Sequence, residues 1–572
     1  MKKLMLTIAA IFIAGFIFAQ GVQNWGFQDV LGNSNLTVID QYGFFNTSYQ
    51  DIFVGDFNDV QVYQYGPGLA NFSDQDVIFG DYNLQLIFQE GAINYAKQQV
   101  LFGDANVQYV WQWYFNNEAL QFVTFGGENY QEAVQFGEDN YSFQNVSPGF
   151  FNDQFVFQSG FDNYAYQDIW GNANLMVADQ FGSDNISVQQ ALFGSDLNYV
   201  NTDQIGTGNI NYQYVVGDVN VLNSYQEGDY NLNDQLVIGD WNQAYTTQDY
   251  MGGQAYFNET YHRIYGNHNF VNTYQTGYNP PAYMQLSYVY VDGNWNWVNH
   301  LQQGAYNVAE SFVYGNHNWA NVHQLGGTTS TTASENEAYT LQVGNWNEAE
   351  IMQGVWNFPL FPMCWTPTIA KPGYGNDAAI EQFGHHNTAS ITQADDFEGS
   401  WTWFNDAYIL QVGHHNDADI YQNGDVNFFT TMQFGHHNEA ISFAHGLENE
   451  VHIYQDGDHN GAFVFIGLDN PGGNPTSMEY FSNYVEVTQV GSENTTNAFI
   501  VGHENTVYVD QWGFGNIAGQ DHTALCPGDA WSEAGIRILG DNNYGEVYQF
   551  GIMNLADMQI IGNYNTAFIT QY

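Results

Sequence analysis

Residues 382–393 read Gln-Phe-Gly-His-His-Asn-Thr-Ala-Ser-Ile-Thr-Gln and combine a turn with a strand. Gly and Asn tolerate a positive φ better than other residues, so the Gly-x-x-Asn at 384–387 is typical of a tight turn. The residues that follow alternate, and alternate side chains of a strand point to opposite faces. The row predicted to be buried is Asn387, Ala389, Ile391 and Gln393. The row predicted to face water is Thr388, Ser390 and Thr392.

Two further copies of this unit follow along the chain. Residues 411–422 read Gln-Val-Gly-His-His-Asn-Asp-Ala-Asp-Ile-Tyr-Gln, and residues 433–442 read Gln-Phe-Gly-His-His-Asn-Glu-Ala-Ile-Ser. Identical inward Asn and Gln side chains fall above one another, where each amide can donate to one neighbour and accept from the other. The turn and inward positions of this candidate structural ladder are Gln382, Gly384, Asn387, Ala389, Ile391, Gln393, Gln411, Gly413, Asn416, Ala418, Ile420, Gln422, Gln433, Gly435, Asn438 and Ala440.

The Gly-x-x-Asn turn recurs through the chain, in a clean run from Gly160 to Gly239 at steps of 11 or 12 residues. Such a step holds a short strand and a turn but leaves no room for a helix. Two strands and two turns make a coil of about 23 residues, and coils stack about 4.8 Å apart. The sequence therefore predicts an all-β fold, a two-sheet parallel β-solenoid interrupted by loop insertions.

Charge and composition argue against several classes of function. The 572 residues include 61 Asp and Glu but only 6 Lys and Arg, a formal net charge of −55. Nothing basic could neutralise a phosphate backbone, which argues against nucleic acid as a partner. No stretch after the first 19 residues is apolar enough to predict a membrane span. No departure from the repeat groups an acid, a base and a cation, so neither enzymatic activity nor a catalytic residue is predicted.

Residues 1–19 are predicted to be a secretory signal peptide. Lys2 and Lys3 precede an apolar run that ends at Phe18, and Ala19 provides a cleavage point. The protein is therefore expected to be secreted, to the extracellular space or the cell surface. Residues 20–39 are an N-terminal segment before a repeat array over residues 40–572. Insertions are predicted near residues 250–264, 278–290, 327–335, 358–372, 395–404, 470–482 and 518–536.

The pattern Gln-x-Gly-x-x-Asn-x-Ala, with a Gln at the strand end, resembles the curlin repeat of curli, the bacterial functional amyloid. It is complete at 382–393 and 411–422, and partial almost everywhere from residue 40 onward. The resemblance implies a subunit that leaves the cell through a dedicated outer-membrane channel. It also implies assembly with a nucleator into pilus-like fibres that support adhesion and biofilm matrix. By the same resemblance, the inward Gln and Asn positions are the ones critical for assembly.

Two interpretations of function remain open, because the chain is longer, more acidic and richer in insertions than a typical curli subunit. The favoured one is a fibre subunit that stacks end to end. The alternative is a solenoid adhesin or fibre nucleator that does not polymerise and displays its insertion loops. The insertions are interpreted as tolerated loops, with the alternative that Trp365, Trp401 and Trp403 stack on sugars or partner proteins.

Histidine and aspartate columns are the candidate ion sites. His386, His415, His437 and His459 occupy equivalent turn positions, so neighbouring imidazoles could share Zn²⁺ or Cu²⁺. The competing interpretation is a row of exposed polar turn residues. Stacked carboxylates repel, and divalent cations such as Ca²⁺ could act as counterions, unless the acidic residues only make the surface soluble. Two such pairs are Asp81 with Asp104 and Asp218 with Asp240. No cofactor is predicted.

The two cysteines, Cys364 and Cys526, both fall within predicted insertions. They lie about seven coils apart, whereas bridged Cα atoms lie within about 7 Å of each other. Unpaired or externally paired thiols are therefore favoured over a disulfide between them.

Overall fold

The computed structural model describes residues 14–20, 23–66, 70–250, 255–277, 283–325, 335–354, 373–394, 402–467, 482–518 and 536–572. The regular elements in these ranges are all β-strands, with no helix among them. The chain divides into two compact units. The first comprises residues 1–249 and 253–268, and the second comprises residues 250–252 and 269–572.

The first unit contains two parallel sheets, A and B, that alternate along the chain. Sheet A holds the odd-numbered strands up to β21 together with β22. Sheet B holds the even-numbered strands up to β20 together with β23. Each strand pairs in parallel with the next one of its sheet, and β21 and β22 both pair with β19. In chain order the strands are β1 (Ala14–Gln20), β2 (Trp25–Val30), β3 (Leu36–Gly43), β4 (Thr47–Val54), β5 (Asp59–Gly66), β6 (Phe72–Phe79), β7 (Leu84–Ala92), β8 (Tyr95–Phe102), β9 (Val107–Phe115), β10 (Glu118–Phe125), β11 (Tyr130–Glu138), β12 (Tyr141–Val146), β13 (Asp153–Phe161), β14 (Tyr164–Ile169), β15 (Leu175–Ser183), β16 (Ile186–Leu192), β17 (Tyr199–Thr207), β18 (Ile210–Val216), β19 (Val221–Asp229), β20 (Leu232–Ile238), β21 (Gln243–Tyr250), β22 (Ala255–Tyr256) and β23 (Glu259–Tyr265).

The second unit repeats this arrangement. Its strands are β24 (Phe270–Gly277), β25 (Leu286–Asp292), β26 (Trp297–Gln303), β27 (Val308–Tyr314), β28 (Trp319–Leu325), β29 (Glu337–Asn345), β30 (Glu348–Gln353), β31 (Gly373–Tyr374), β32 (Asp377–His385), β33 (Thr388–Ala394), β34 (Thr402–Trp403), β35 (Asp406–His414), β36 (Asp417–Asn423), β37 (Phe428–His436), β38 (Glu439–His445), β39 (Glu450–Asp458), β40 (Gly461–Ile466), β41 (Tyr484–Ser492), β42 (Thr495–Val501), β43 (Thr506–Phe514), β44 (Ile517–Ala518), β45 (Ile536–Leu539), β46 (Tyr544–Ile552), β47 (Leu555–Ala556), β48 (Met558–Ile561) and β49 (Thr566–Gln571). Sheet B here is β25, β27, β29, β32, β35, β37, β39, β41, β43, β46 and β49. Strands β31 and β34 form a separate pair, and the remaining strands belong to sheet A.

The core of each unit lies between its two sheets, and some of its columns repeat the same residue in register from coil to coil. Ala378 pairs with Ala407 and Ile380 with Ile409, and all four side chains are fully buried. Burying one isoleucine side chain contributes about 1.5–3 kcal/mol, and the small alanines let facing strands approach closely. The predicted two-sheet parallel β-solenoid with about 23 residues per coil is thereby confirmed.

The predicted alternation on β33 holds except at its end. Asn387, Ala389, Ile391 and Gln393 are buried, as predicted. Thr392 was predicted to face water but is also buried, at 3% exposure. It lies in register between the larger Met352 and Tyr421, which cover its outer side.

Two predicted insertions are too long. Strand β23 lies almost wholly within the predicted insertion 250–264, and β25 overlaps the one at 278–290. Both strands complete ordinary coils of sheet B, since β23 pairs with β20 and β25 pairs with β27. The other predicted insertions fall largely outside the described residues, as do Cys364 and Cys526.

The undescribed segments of the second unit have a common position in the chain. Residues 278–282, 326–334, 355–372, 395–401 and 468–481 all follow a sheet A strand and precede the next sheet B strand. Residues 519–535 differ, since they lie between β44 and β45 of sheet A. The first five segments therefore share one position in the repeat of the sequence, after a sheet A strand.

Strand β1 overlaps the predicted signal peptide. It pairs in parallel with β3, from Ala14 opposite Leu36 to Gln20 opposite Tyr42. Cleavage after Ala19 stays a prediction. Within the described ranges, no helix could cross a membrane.

Candidate functional site: stacked amide ladders

Buried glutamines of sheet A form a hydrogen-bonded ladder in the first unit. Each Nε2 donates to the Oε1 of the glutamine one coil later, at 2.7–2.9 Å. The second N–H finds backbone carbonyls, as where Gln158 Nε2 donates to Tyr141 O at 2.9 Å across the core. The members are Gln41, Gln64, Gln89, Gln112, Gln135, Gln158, Gln180, Gln204, Gln226 and Gln248. Except at Gln41, whose Oε1 has no donor among the described residues, these amides are satisfied on both sides and can be buried without the usual desolvation cost.

The predicted ladder residues occupy the second unit in the same way. In sheet B, Gln382 Nε2 donates to Gln411 Oε1, and Gln411 Nε2 donates to Gln433 Oε1, both at 2.9 Å. In sheet A, Gln393 Nε2 donates to Gln422 Oε1 at 2.9 Å.

Asparagines at the turns form a second ladder, in which the donor belongs to the later coil and the acceptor to the earlier one, the reverse of the glutamine ladder. The backbone N–H of Asn416 donates to Asn387 Oδ1 at 3.1 Å, and that of Asn438 donates to Asn416 Oδ1 at 3.1 Å. Asn416 Nδ2 also donates forward to Gly435 O at 3.0 Å. Each turn is thus tied to the coil before it and to the coil after it.

Turn glycines are required where the chain passes closest to the next coil. Gly384 and Gly413 have φ of +124° and +130°, which L side chains rarely adopt. A Cβ on Gly413 would lie 1.9 Å from Gly435 O. Glycine is therefore sterically required at these two turns.

The position of the sheet B glutamine ladder along its strands differs between the two units, and this difference was not predicted. In the second unit the glutamine comes six residues after the turn asparagine, whereas in the first unit it comes four residues after, as in Asn46 and Gln50. The first-unit members are Gln28, Gln50, Gln75, Gln98, Gln121, Gln144, Gln167, Gln189, Gln213 and Gln235. The spacing of four can be read from the sequence of the first unit. The predicted repeat pattern, however, rests on residues 382–442 of the second unit, where the spacing is six.

The sheet A ladder of the second unit ends at Gln422. The residue that follows in register is Ala444, and the column continues through Ile466, Ile500 and Ile538. Beside this column, Phe443, Phe465 and Phe499 stack with ring centroids 4.9 Å apart. In sheet A of these coils an apolar block therefore replaces the buried glutamines, while the sheet B ladder continues through Gln455, Gln489 and Gln511.

The predicted histidine column is present. His386, His415, His437 and His459 stack face to face with ring centroids 4.7–4.9 Å apart. A parallel row, His385, His414 and His436, stacks at 5.0–5.1 Å. Partial burial first, and then the neighbouring imidazoles, lower the pKa of His414. In the described part of the chain, no group of three or more His, Cys, Asp or Glu is arranged to hold a metal ion. Binding of zinc or copper by neighbouring imidazoles stays a prediction.

The aspartate columns are bonded to the backbone as well as stacked. Asp81 N–H donates to Asp104 Oδ1, and Asp218 N–H donates to Asp240 Oδ1, both at 2.8 Å. Each carboxylate therefore satisfies an amide of the preceding coil, which offsets the expected repulsion. The role of divalent cations as counterions stays a prediction.

Several acidic side chains that neighbour one another on the outer face of sheet A were not predicted as a site from the sequence. Burial first, and then Asp417, Glu439 and Glu350, raise the pKa of Asp419 to about 7. Burial and Asp203 raise the pKa of Asp179 to about 6. The only signal in the sequence is an alternating Asp-x-Asp in a strand.

Asp419→Asn is expected to stabilise the second unit at pH 8. A carboxyl whose pKa is raised binds its proton more tightly in the folded state, so stability falls as pH rises from about 4 to about 7 and stays low above it. Asn removes this cost, which amounts to about 1.4 kcal/mol per pKa unit. Denaturant unfolding at pH 5 and pH 8 measures it. The exposed Asp557→Asn is the control, and an equal gain from both variants would contradict the assignment.

Comparison with known families supports the repeat. The curlin-associated repeat matches residues 32–66, 373–394 and 540–572. Comparison with curated proteins returned no match. The matched regions include the sheet B strand that carries Gln382 and the last strand of the second unit. Together with the stacked amide ladders, this match shows that the chain carries curlin-associated repeats in these three regions.

Proposed function

We propose that the protein is a secreted structural subunit of a curli-like extracellular amyloid fibre, which assembles by end-to-end stacking of β-solenoids. The observation that carries this proposal is the ladder itself. Its hydrogen bonds join one coil to the next through groups that every coil repeats, so the same bonds can join one copy of the chain to another. Such a fibre would serve cell adhesion and biofilm matrix.

The edges of the described strands support stacking. Gln41 Oε1 in β3 is buried without a hydrogen-bond partner among the described residues. At the other end, β49 pairs only with β46 in the part of the chain that the structure describes. Tyr564 and Phe568, at 80% and 64% exposure, leave apolar surface beside that edge. Unpaired strand edges template the addition of further strands.

The net charge of −55 opposes association, and so the proposal predicts assembly that depends on salt. A curli-like outer-membrane channel and a nucleator are the proposed partners during secretion.

Electron microscopy of the chain without residues 1–19 tests the proposal. After quiescent incubation at neutral pH, unbranched fibres are expected, with fibre diffraction at about 4.8 Å along the axis. Fibres should form faster at 0.5 M than at 0.05 M sodium chloride. Uniform single particles at every salt concentration and after prolonged incubation would contradict the proposal.

The alternative function is display of loops by a non-polymerising adhesin or nucleator. It is favoured by the position in the sequence of five predicted or partly predicted insertions, which all come between a sheet A strand and the next sheet B strand. Single particles that accelerate fibre formation by a different curlin-repeat subunit would support it.

A further inference from the structure

We propose that, in the fibre, β49 of one copy pairs in parallel with β3 of the next copy. This inference rests on the proposed function and specifies its contact. Strand β3 pairs with β5 on one edge and with β1 on the other. On β49 the contact uses the edge opposite β46, where no other described strand pairs. On β3 it uses the edge that pairs with β1 in the full chain.

The glutamine ladder supplies a donor at one strand and an acceptor at the other. Gln571 Oε1 accepts from Gln549 Nε2 at 2.7 Å, and Gln571 Nε2 donates to Leu555 O at 2.7 Å. Its second N–H has no hydrogen bond in the described residues. Gln41 Nε2 donates to Gln64 at 2.7 Å, whereas the fully buried Gln41 Oε1 lacks a donor there. A bond from Gln571 Nε2 to Gln41 Oε1 would continue the ladder without a break.

Strand β3 matches the inward residues of β49 better than β2 does. In register with Asn565 placed on Asn35, Ile569 lies opposite Ile39 and Gln571 opposite Gln41. With Asn565 placed on Asn24 of the β2 coil, Gln571 would instead lie opposite Val30. That second arrangement buries an amide against an apolar side chain, which is costly.

Strand β1 occupies the position on β3 that β49 would take. Gly15, Phe16 and Ile17 lie opposite Thr37, Val38 and Ile39. In the proposed contact the same three positions are opposite Ala567, Phe568 and Ile569, so Gly-Phe-Ile and Ala-Phe-Ile are near copies. Opposite Gln41, however, β1 has Ala19, whose side chain carries no amide that could continue the glutamine ladder. Removal of residues 1–19 then frees the edge of β3 for a strand that completes the ladder.

The contact has a direction. Two copies meeting through their β49 strands would set amide donors against donors, and two meeting through β3 would set acceptors against acceptors. Only the head-to-tail contact pairs them, and a head-to-tail contact repeated along a line gives an open filament.

Cross-linking between two differently labelled copies tests the register. Both copies lack residues 1–19 and carry Cys364→Ser and Cys526→Ser. One also carries Phe568→Cys, and the other carries either Val38→Cys or, as the matched control, Phe27→Cys. Val38 is the neighbour of Phe568 in the proposed register, and Phe27 is its neighbour if β49 stacks on β2.

Mixed fibres treated with a short thiol-specific cross-linker are expected to yield at least tenfold more heterodimer from the 38–568 pair than from the 27–568 pair. Fibres that give the reverse ratio, or no cross-link at either pair, overturn this contact while leaving the proposed function intact. If no fibres form from any copy, including the chain without cysteine substitutions, the proposed function fails and this contact fails with it.

The full chain, with β1 retained, gives an independent measurement. It offers β49 but covers β3, so it can attach to the fibre end that exposes β3 and then block that end. Substoichiometric full chain, added to fibres growing under a fluorescence microscope, is expected to stop growth at one end only. Growth that continues unchanged at both ends would overturn the role assigned to β1.

Discussion

Gly413→Ala is expected to destabilise the second unit by more than about 3 kcal/mol, a large effect for a single methyl group. The new Cβ would lie 1.9 Å from Gly435 O, a backbone atom that cannot move without shifting the next coil. The residue would also have to hold a φ of +130°. Stacked coils contact only their neighbours, so the damage should be greatest in β35 and β37 and decline with distance.

Hydrogen exchange followed by mass spectrometry measures this local loss, because it resolves the opening of individual strands. Gly461→Ala is the matched control. Gly461 lies in β40, and a Cβ there would meet no atom within 4 Å. Its replacement is expected to be neutral or slightly stabilising, since alanine restricts the unfolded chain. Equal exchange in the two variants would show that the close approach at Gly413 is not a constraint.

Gln411→Leu is expected to cost about 2–5 kcal/mol, although it places an apolar residue in a core. Gln411 accepts from Gln382 Nε2 and donates to Gln433 Oε1, both at 2.9 Å, and donates to Thr388 O at 2.8 Å. Leucine removes all three bonds and leaves Gln433 Oε1 buried without a donor. A break in a ladder is therefore worse than an exchange of one core residue for another.

Denaturant unfolding and exchange in β35 and β37 check this prediction. Gln559→Leu is the control, because Gln559 lies on the outer, exposed side of β48. It is expected to change stability by less than about 0.5 kcal/mol. A Gln411→Leu chain as stable as the control would mean that the ladder contributes no net stability.

The repeat was predictable because its period reflects two steric rules. Gly384 and Asn387 mark a turn that needs positive φ, and the alternation after Asn387 marks a strand with one buried face. Failures came where side chains outside the strand decide burial. Thr392 is covered by larger neighbours in register, and β25 was missed because its outward tyrosines obscure the alternation.

The candidate site was only partly predictable. The stacking of identical amides follows from the period alone, and so does the stacking of the His386 and His415 rings. What the sequence could not provide is which groups remain unpaired at the edges, since that requires the register of every coil. The raised pKa of Asp419, for example, depends in part on Glu439 and Glu350, which are distant in the chain and are brought close only by the stacking of coils.

The replacement of amides by isoleucine and phenylalanine after Gln422 gives the two parts of the second unit different responses to temperature. Apolar burial near room temperature is driven by the entropy of water, and it weakens as the protein is cooled. The coils around Ile466, Ile500 and Phe465 depend on it more than the amide-laddered coils that precede them. Cold should therefore loosen the sheet A side of these coils first, and the coils with glutamine ladders in both sheets should be the last to open as the temperature falls.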